Sequence, residues 1–136
     1  MIKVSVLLAD GFEEIEALTV VDLLRRAQIY VDTISIMEDY TVHGAHGINI
    51  QTEDLFEEVK FVESDMIVLP GGMPGTTNLN AHEGVRRVVK DFAAEGKPIA
   101  AICAAPTVLG NLGLLKGKRI TCYPGVETEI QGAVML

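Results

Sequence analysis

Short runs rich in valine, isoleucine and leucine recur at about 2–8, 29–36, 65–69, 98–102 and 119–122, each bounded by glycine, proline or charge. Most of the intervals between them carry a helical pattern. This rhythm constrains the fold more than any other feature of the chain. Continuously apolar strands must be buried on both faces, and strands joined through amphipathic helices run parallel by right-handed crossovers. The implied class is α/β, a flavodoxin-like three-layer sandwich with a mostly parallel central sheet.

The first crossover helix is expected over Glu14–Ala27, where Ala17, Val20, Val21, Leu24 and Ala27 follow helical spacing and Glu16, Asp22, Arg25 and Arg26 occupy other faces. A second is expected from His82 to about Glu95, with Val85, Val88, Val89 and Phe92 as its apolar stripe and Gly96 as its stop. The interval 40–53 breaks the rhythm. Gly44 and Gly47 divide Tyr40–His43 from Ile48–Gln51 with no room for a helix, so a small antiparallel β-hairpin is expected there. With 136 residues, 49% of them hydrophobic, the chain can bury one sizeable core and not two, so residues 1–136 form a single domain.

The net charge of −8, spread over several helices rather than massed in a tail, argues against a nucleic-acid or anionic-membrane surface and favours small molecules or proteins as partners. The apolar start, Met1–Leu8, is too short to span a bilayer and runs into acidic residues, as a buried first strand does. Cys103 and Cys122 share no metal-ligand spacing with His43, His46 and His82, so no metal is expected, and a reducing cytoplasm fits the sparse cysteine content.

In doubly wound folds ligands bind beyond the carboxyl ends of the strands, and three such segments stand out. Ile99–Pro106 is an apolar strand that ends in Cys103 and then in small residues able to turn sharply into a helix, with Pro106 suited to its first turn. A sulfur there faces free backbone N–H groups and the positive end of the helix dipole, which favours thiolate near neutral pH. Packing as a small buried hydrophobe is the competing reading of a lone cysteine. In Asp65–Thr76 a strand runs into the glycine-rich loop Pro70-Gly71-Gly72, which matches neither phosphate-binding glycine motif and reads either as an oxyanion hole or as a tight turn. In Asp10–Glu16 carboxylates gather at a helix start. The dipole accounts for Glu13 and Glu14, whereas Glu16, one turn further, points across the strand ends toward Cys103. In contact, a carboxyl and a thiol share a proton, and the expectation is ionised sulfur with protonated Glu16 as general acid/base.

Gly11–Glu16, Val21–Ala27, Val68–Gly72 and Ala100–Pro106, in this order, resemble the DJ-one branch of the ThiJ/PfpI superfamily, of the class I glutamine amidotransferase-like group. The resemblance covers essentially the whole chain. It implies that Cys103 is the nucleophilic, oxidation-sensitive cysteine, Glu16 its protonated partner, and Gly71, Gly72 and Ala104 the oxyanion- or substrate-binding positions. It implies a cofactor-free homodimer acting on glyoxal, methylglyoxal or their adducts, with a redox-sensor or chaperone role and a peptidase or amidase as alternatives. It also places His46 and Arg26 near a subunit contact. Two departures stand out. Tyr123 occupies the position of a histidine in human-like members, and Ala104 that of the histidine following the cysteine in peptidase members, leaving no adjacent base. Family domains also continue beyond the point where this chain reaches Leu136, so C-terminal strands and a helix are expected to be missing. Cys122 reads as a packed or semi-exposed thiol.

Overall fold

A computed structural model describes residues 1–136. Five parallel strands form the central sheet in the order β5-β2-β1-β6-β7: β1 (Lys3–Leu8), β2 (Tyr30–Ser35), β5 (Asp54–Leu55), β6 (Met66–Leu69) and β7 (Ile99–Ala101). β3 (Thr41–His43) and β4 (Asn49–Gln51) make the expected antiparallel hairpin, with Val42 opposite Ile50.

The strands alternate between two cores. Leu7, Ile34, Ile67 and Leu69 face one side, against α3 (Glu83–Ala94) through Val85, Val89 and Phe92 and against α4 (Pro106–Asn111) through Val108 and Leu109. Val4, Val6, Leu8, Val31 and Val68 face the other, under Ala17 and Val21 of α1 (Glu14–Arg26) and Val42 of the hairpin. That is the three-layer arrangement the apolar strands demand, each buried aliphatic side chain contributing about 1.5–3 kcal/mol. Gly96, at φ +72°, follows α3 in the left-handed conformation that ends a helix. No helix is long and apolar enough to cross a membrane.

The run at 119–122 departs from expectation. Only Arg119–Ile120 is a strand, β8, and it pairs with β9 (Val134–Met135) outside the central sheet. The fifth sheet strand is β5, whose two residues, one of them charged, carry no apolar run. A further helix, α2 (Gly75–Ala81), follows the glycine-rich loop. At the opposite sheet edge all three residues of β7 are half-buried, and Ile102 beyond it is 48% exposed.

Candidate active site

The loops after β1, β6 and β7 meet at the carboxyl edge of the sheet. Glu13 donates its N–H to the Gly71 carbonyl at 2.9 Å, which locks the start of α1 to the loop after β6. At Gly72, φ is +96° and a Cβ would lie 2.4 Å from the Glu13 nitrogen, so only glycine lets the two loops approach this closely. The result is that Glu16 reaches across the loops, as its position in α1 predicts, and accepts the Gly71 N–H at 3.0 Å.

Cys103 sits two residues past β7 with φ +64°, in the left-handed region that non-glycine residues rarely occupy. Such strain is of order 1–3 kcal/mol and persists only where its surroundings enforce it. Here the Ile102 N–H donates to Leu69 O at 3.3 Å and the Tyr123 N–H to Cys103 O at 2.8 Å, holding the elbow from both sides. A Cβ built on Gly71 would meet Glu16 Oε1 at 2.6 Å and Cys103 Cβ at 2.7 Å, so Gly71, Glu16 and Cys103 converge on one point.

The electrostatics correct one expectation. Rather than favouring thiolate, the surroundings push the Cys103 thiol up: burial first, then its hydrogen bond to Glu16 and the Glu16 charge, with Glu13 adding to the effect. Only the hydrogen bond from the Ala104 N–H works the other way. Partial burial and two carboxylates outweigh a helix of six residues. Gly71 is a second correction. Its N–H is spent on Glu16, so it fixes the acid and is not a free oxyanion donor. The Gly72 N–H has no protein acceptor, and the Ala104 N–H points at the sulfur.

These groups line an open cleft of about 770 Å³, with Tyr123 at its lip and Thr76, Asn80 and Thr107 forming one wall. Asn80 Nδ2 donates to Thr76 O at 3.2 Å and to Thr107 Oγ1 at 3.3 Å, tying α2 to α4. Sequence reasoning missed this wall because Gly75-Thr76-Thr77-Asn78 reads as loop. The subsequent Leu79, 2% exposed and packed into the larger core, was the available signal.

His46 contacts the start of α1 rather than Cys103. Its N–H and Nδ1 lie 2.7 and 3.0 Å from the Glu14 carboxylate, which also accepts the Ile48 N–H at 3.2 Å. Burial acts to raise the Glu14 pKa, but these bonds and that of its own backbone N–H win and bring it down to about 2. Glu14 thereby anchors the hairpin to α1. Glu13 joins the cluster 3.3 Å from His46 Nδ1, a convergence of three ligand-type side chains that chain spacing does not reveal. Arg26 lies away from the cleft in an exposed pair with Asp22 at 3.2 Å. Cys122 is half-buried against the larger core, and His82 caps α3 by accepting the Val85 N–H at 3.0 Å.

The sequence pattern of the DJ-1/PfpI family matches residues 2–135. The chain belongs to this family. A DJ-1/PfpI relative described as a deglycase, from Pyrococcus abyssi, is 36% identical over 96% of this chain and 78% of its own length. Arabidopsis thaliana DJ-1 homologue B is 37% identical over 90% of this chain, which spans only 28% of that longer protein. Among solved structures, a DJ-1 superfamily protein of Salmonella typhimurium superposes with a TM-score of 0.95 at 39% identity, covering all of this chain and 74% of the other. Oxidized DJ-1 of Toxoplasma gondii gives 0.90 at 36%, over 96% of this chain and 71% of its own.

Proposed function

We propose that this chain carries the site of a cofactor-independent, cysteine-dependent glyoxalase or deglycase-type enzyme acting on reactive carbonyls. One observation carries the reading: a cysteine held at φ +64° in an open cleft, hydrogen-bonded to a carboxyl group and to the Ala104 amide, with Gly72 lining the same cleft. Relatives described as deglycases, at about 35% identity, support the same chemistry.

With methylglyoxal the steps balance without an external oxidant. Cys103 Sγ adds to the aldehyde carbon while Glu16 takes the thiol proton, giving a hemithioacetal whose oxygen the Gly72 and Ala104 N–H groups stabilise. A proton leaves the former aldehyde carbon and another reaches the neighbouring ketone carbon, so one carbon is oxidised as the other is reduced. The resulting thioester is cleaved by water, releasing lactate and the thiol. Its hydrogen bond to the sulfur places Glu16 to act as that base, since sulfur becomes nucleophilic only as its proton departs.

Cys103→Ser is expected to abolish methylglyoxal turnover; equal turnover in that variant removes the proposal. An oxidative-stress sensor or chaperone is the second reading, favoured by the openness of the cleft around the same sulfur and by the relative solved oxidized. Mass spectrometry of Cys103 across graded peroxide, alongside turnover, separates the two. A peptidase or amidase lacks support, because no histidine lines the cleft.

A further inference from the structure

The cleft around Cys103 has a sign. Its lining includes the carboxylates of Glu13, Glu16 and Glu129 and not one lysine, arginine or histidine. Glu16 is hydrogen-bonded to the Cys103 sulfur, and Glu13 is partly offset by His46, which lies outside the lining. Glu129, in the turn Val126–Glu129 at the mouth, makes no ion pair or hydrogen bond. The opposite wall adds a second, independent feature. Thr76 is 3% exposed, belongs to that lining, and its Oγ1 has no hydrogen-bond partner, an orphaned hydroxyl of the kind a ligand satisfies.

We infer that the cleft selects cationic carbonyl compounds, such as α-dicarbonyls or their adducts bearing an ammonium or guanidinium group, with Glu129 and Glu13 as charge-selecting residues and Thr76 bonding a substrate oxygen. This rests on the reading of Cys103 as a carbonyl-attacking nucleophile and names the substrate class that site prefers. An α-oxo acid or a phosphorylated aldehyde would bring its own charge against Glu13 and Glu129 and, once the thiol proton has passed to Glu16, against the sulfur.

Three methanethiosulfonates of one chemistry but different charge test it: the neutral methyl reagent, the trimethylammonioethyl reagent and the sulfonatoethyl reagent. Each forms a mixed disulfide on Cys103 with loss of methanesulfinate, read on the Cys103 peptide by mass spectrometry. Relative to a simple free thiol, the cationic reagent is expected to react about tenfold faster than the anionic one at low salt, the advantage shrinking at high salt. Glu129→Gln is expected to cut that ratio about threefold, and adding Glu13→Gln to cut it further. Reversible hemithioacetal formation by betaine aldehyde, glycolaldehyde and glyoxylate, read as protection of Cys103 from iodoacetamide, should weaken in that order, and Thr76→Val should raise the KM for methylglyoxal more than it lowers kcat.

A ratio equal to that of the free thiol, or unaltered by Glu129→Gln, overturns charge selection even if methylglyoxal is turned over. A preference for the sulfonatoethyl reagent also overturns it, and transfers the substrate class to anions. Charge-selective labelling with no methylglyoxal turned over leaves the sign of the cleft standing and overturns the enzymatic reading on which the substrate class rests.

Discussion

Replacing Glu16 with glutamine should move the reactivity of Cys103 and its catalysis in opposite directions. Glu16 accounts for two of the causes that push the thiol up, a hydrogen bond and a charge, and glutamine removes the charge while retaining an acceptor for the Gly71 N–H at 3.0 Å. Two unit charges about 4 Å apart interact by roughly 1 kcal/mol in water and 4 kcal/mol at an effective dielectric of 20. Cys103 is half-buried in an open cleft, so the lower part of that range applies, and a fall of about one pKa unit is expected, at about 1.4 kcal/mol per unit. The assay is the iodoacetamide rate of Cys103 against pH. The variant's curve should shift to lower pH by about one unit, with labelling near neutrality rising up to about tenfold, while loss of the proton-transfer group lowers carbonyl turnover about 100-fold or more. A curve that stays in place or shifts to higher pH would refute the reasoning, since Glu16 would then be stabilising the thiolate as a proton donor.

Gly71→Ala forces a Cβ to within 2.6 Å of Glu16 Oε1 and 2.7 Å of Cys103 Cβ, so turnover should collapse while circular dichroism stays native; retained activity would show that the three groups need not converge. Asp32 is 1% exposed, and burial, followed by its contact with Asp54, raises its pKa to about 7. The folded chain thus holds a proton that the unfolded chain releases near pH 4, so this group's contribution falls as pH rises from about 4 to 7. Asp32→Asn should recover a few kcal/mol at pH 7 and flatten that slope in denaturant titrations. Glu14 acts with the opposite sign. Its pKa is lowered to about 2, so its contribution is present above the ordinary carboxylate range and lost as pH falls toward 2, and Glu14→Gln should remove that acid sensitivity from the unfolding curve.

Much of this architecture was legible in the chain. The apolar runs at 2–8, 29–36, 65–69 and 98–102 became sheet strands because such segments must be covered by packed layers, and of the two helical stripes Ala17, Val21, Val85, Val89 and Phe92 are buried, Val20, Leu24 and Val88 half-buried, and Ala27, one residue past α1, exposed. Glycines 44 and 47 marked the hairpin, and the elbow residues marked Cys103. Short or polar elements were not legible. β5 has two residues, and α2 draws its stability from Leu79 in the core and from its ties to α4 rather than from helix propensity.

What the sequence determined by itself was therefore the layer order, the parallel sheet and the identity of the residues gathered at its carboxyl edge, because periodicity and strand-end position are properties of the chain. The electrostatic surroundings of those groups were decided only by tertiary structure. Sequence reasoning already turned Glu16 toward Cys103 and expected thiolate beside it; in the folded chain burial of the sulfur, the bond to Glu16 and the added charge of Glu13 push the thiol up instead. Likewise the Gly71 N–H is claimed by a residue 55 positions away, and Glu14 is held low by a hairpin more than 30 positions distant. Charges and hydrogen-bond partners act through space over a few ångströms, and the separation of residues along the chain does not contain those distances.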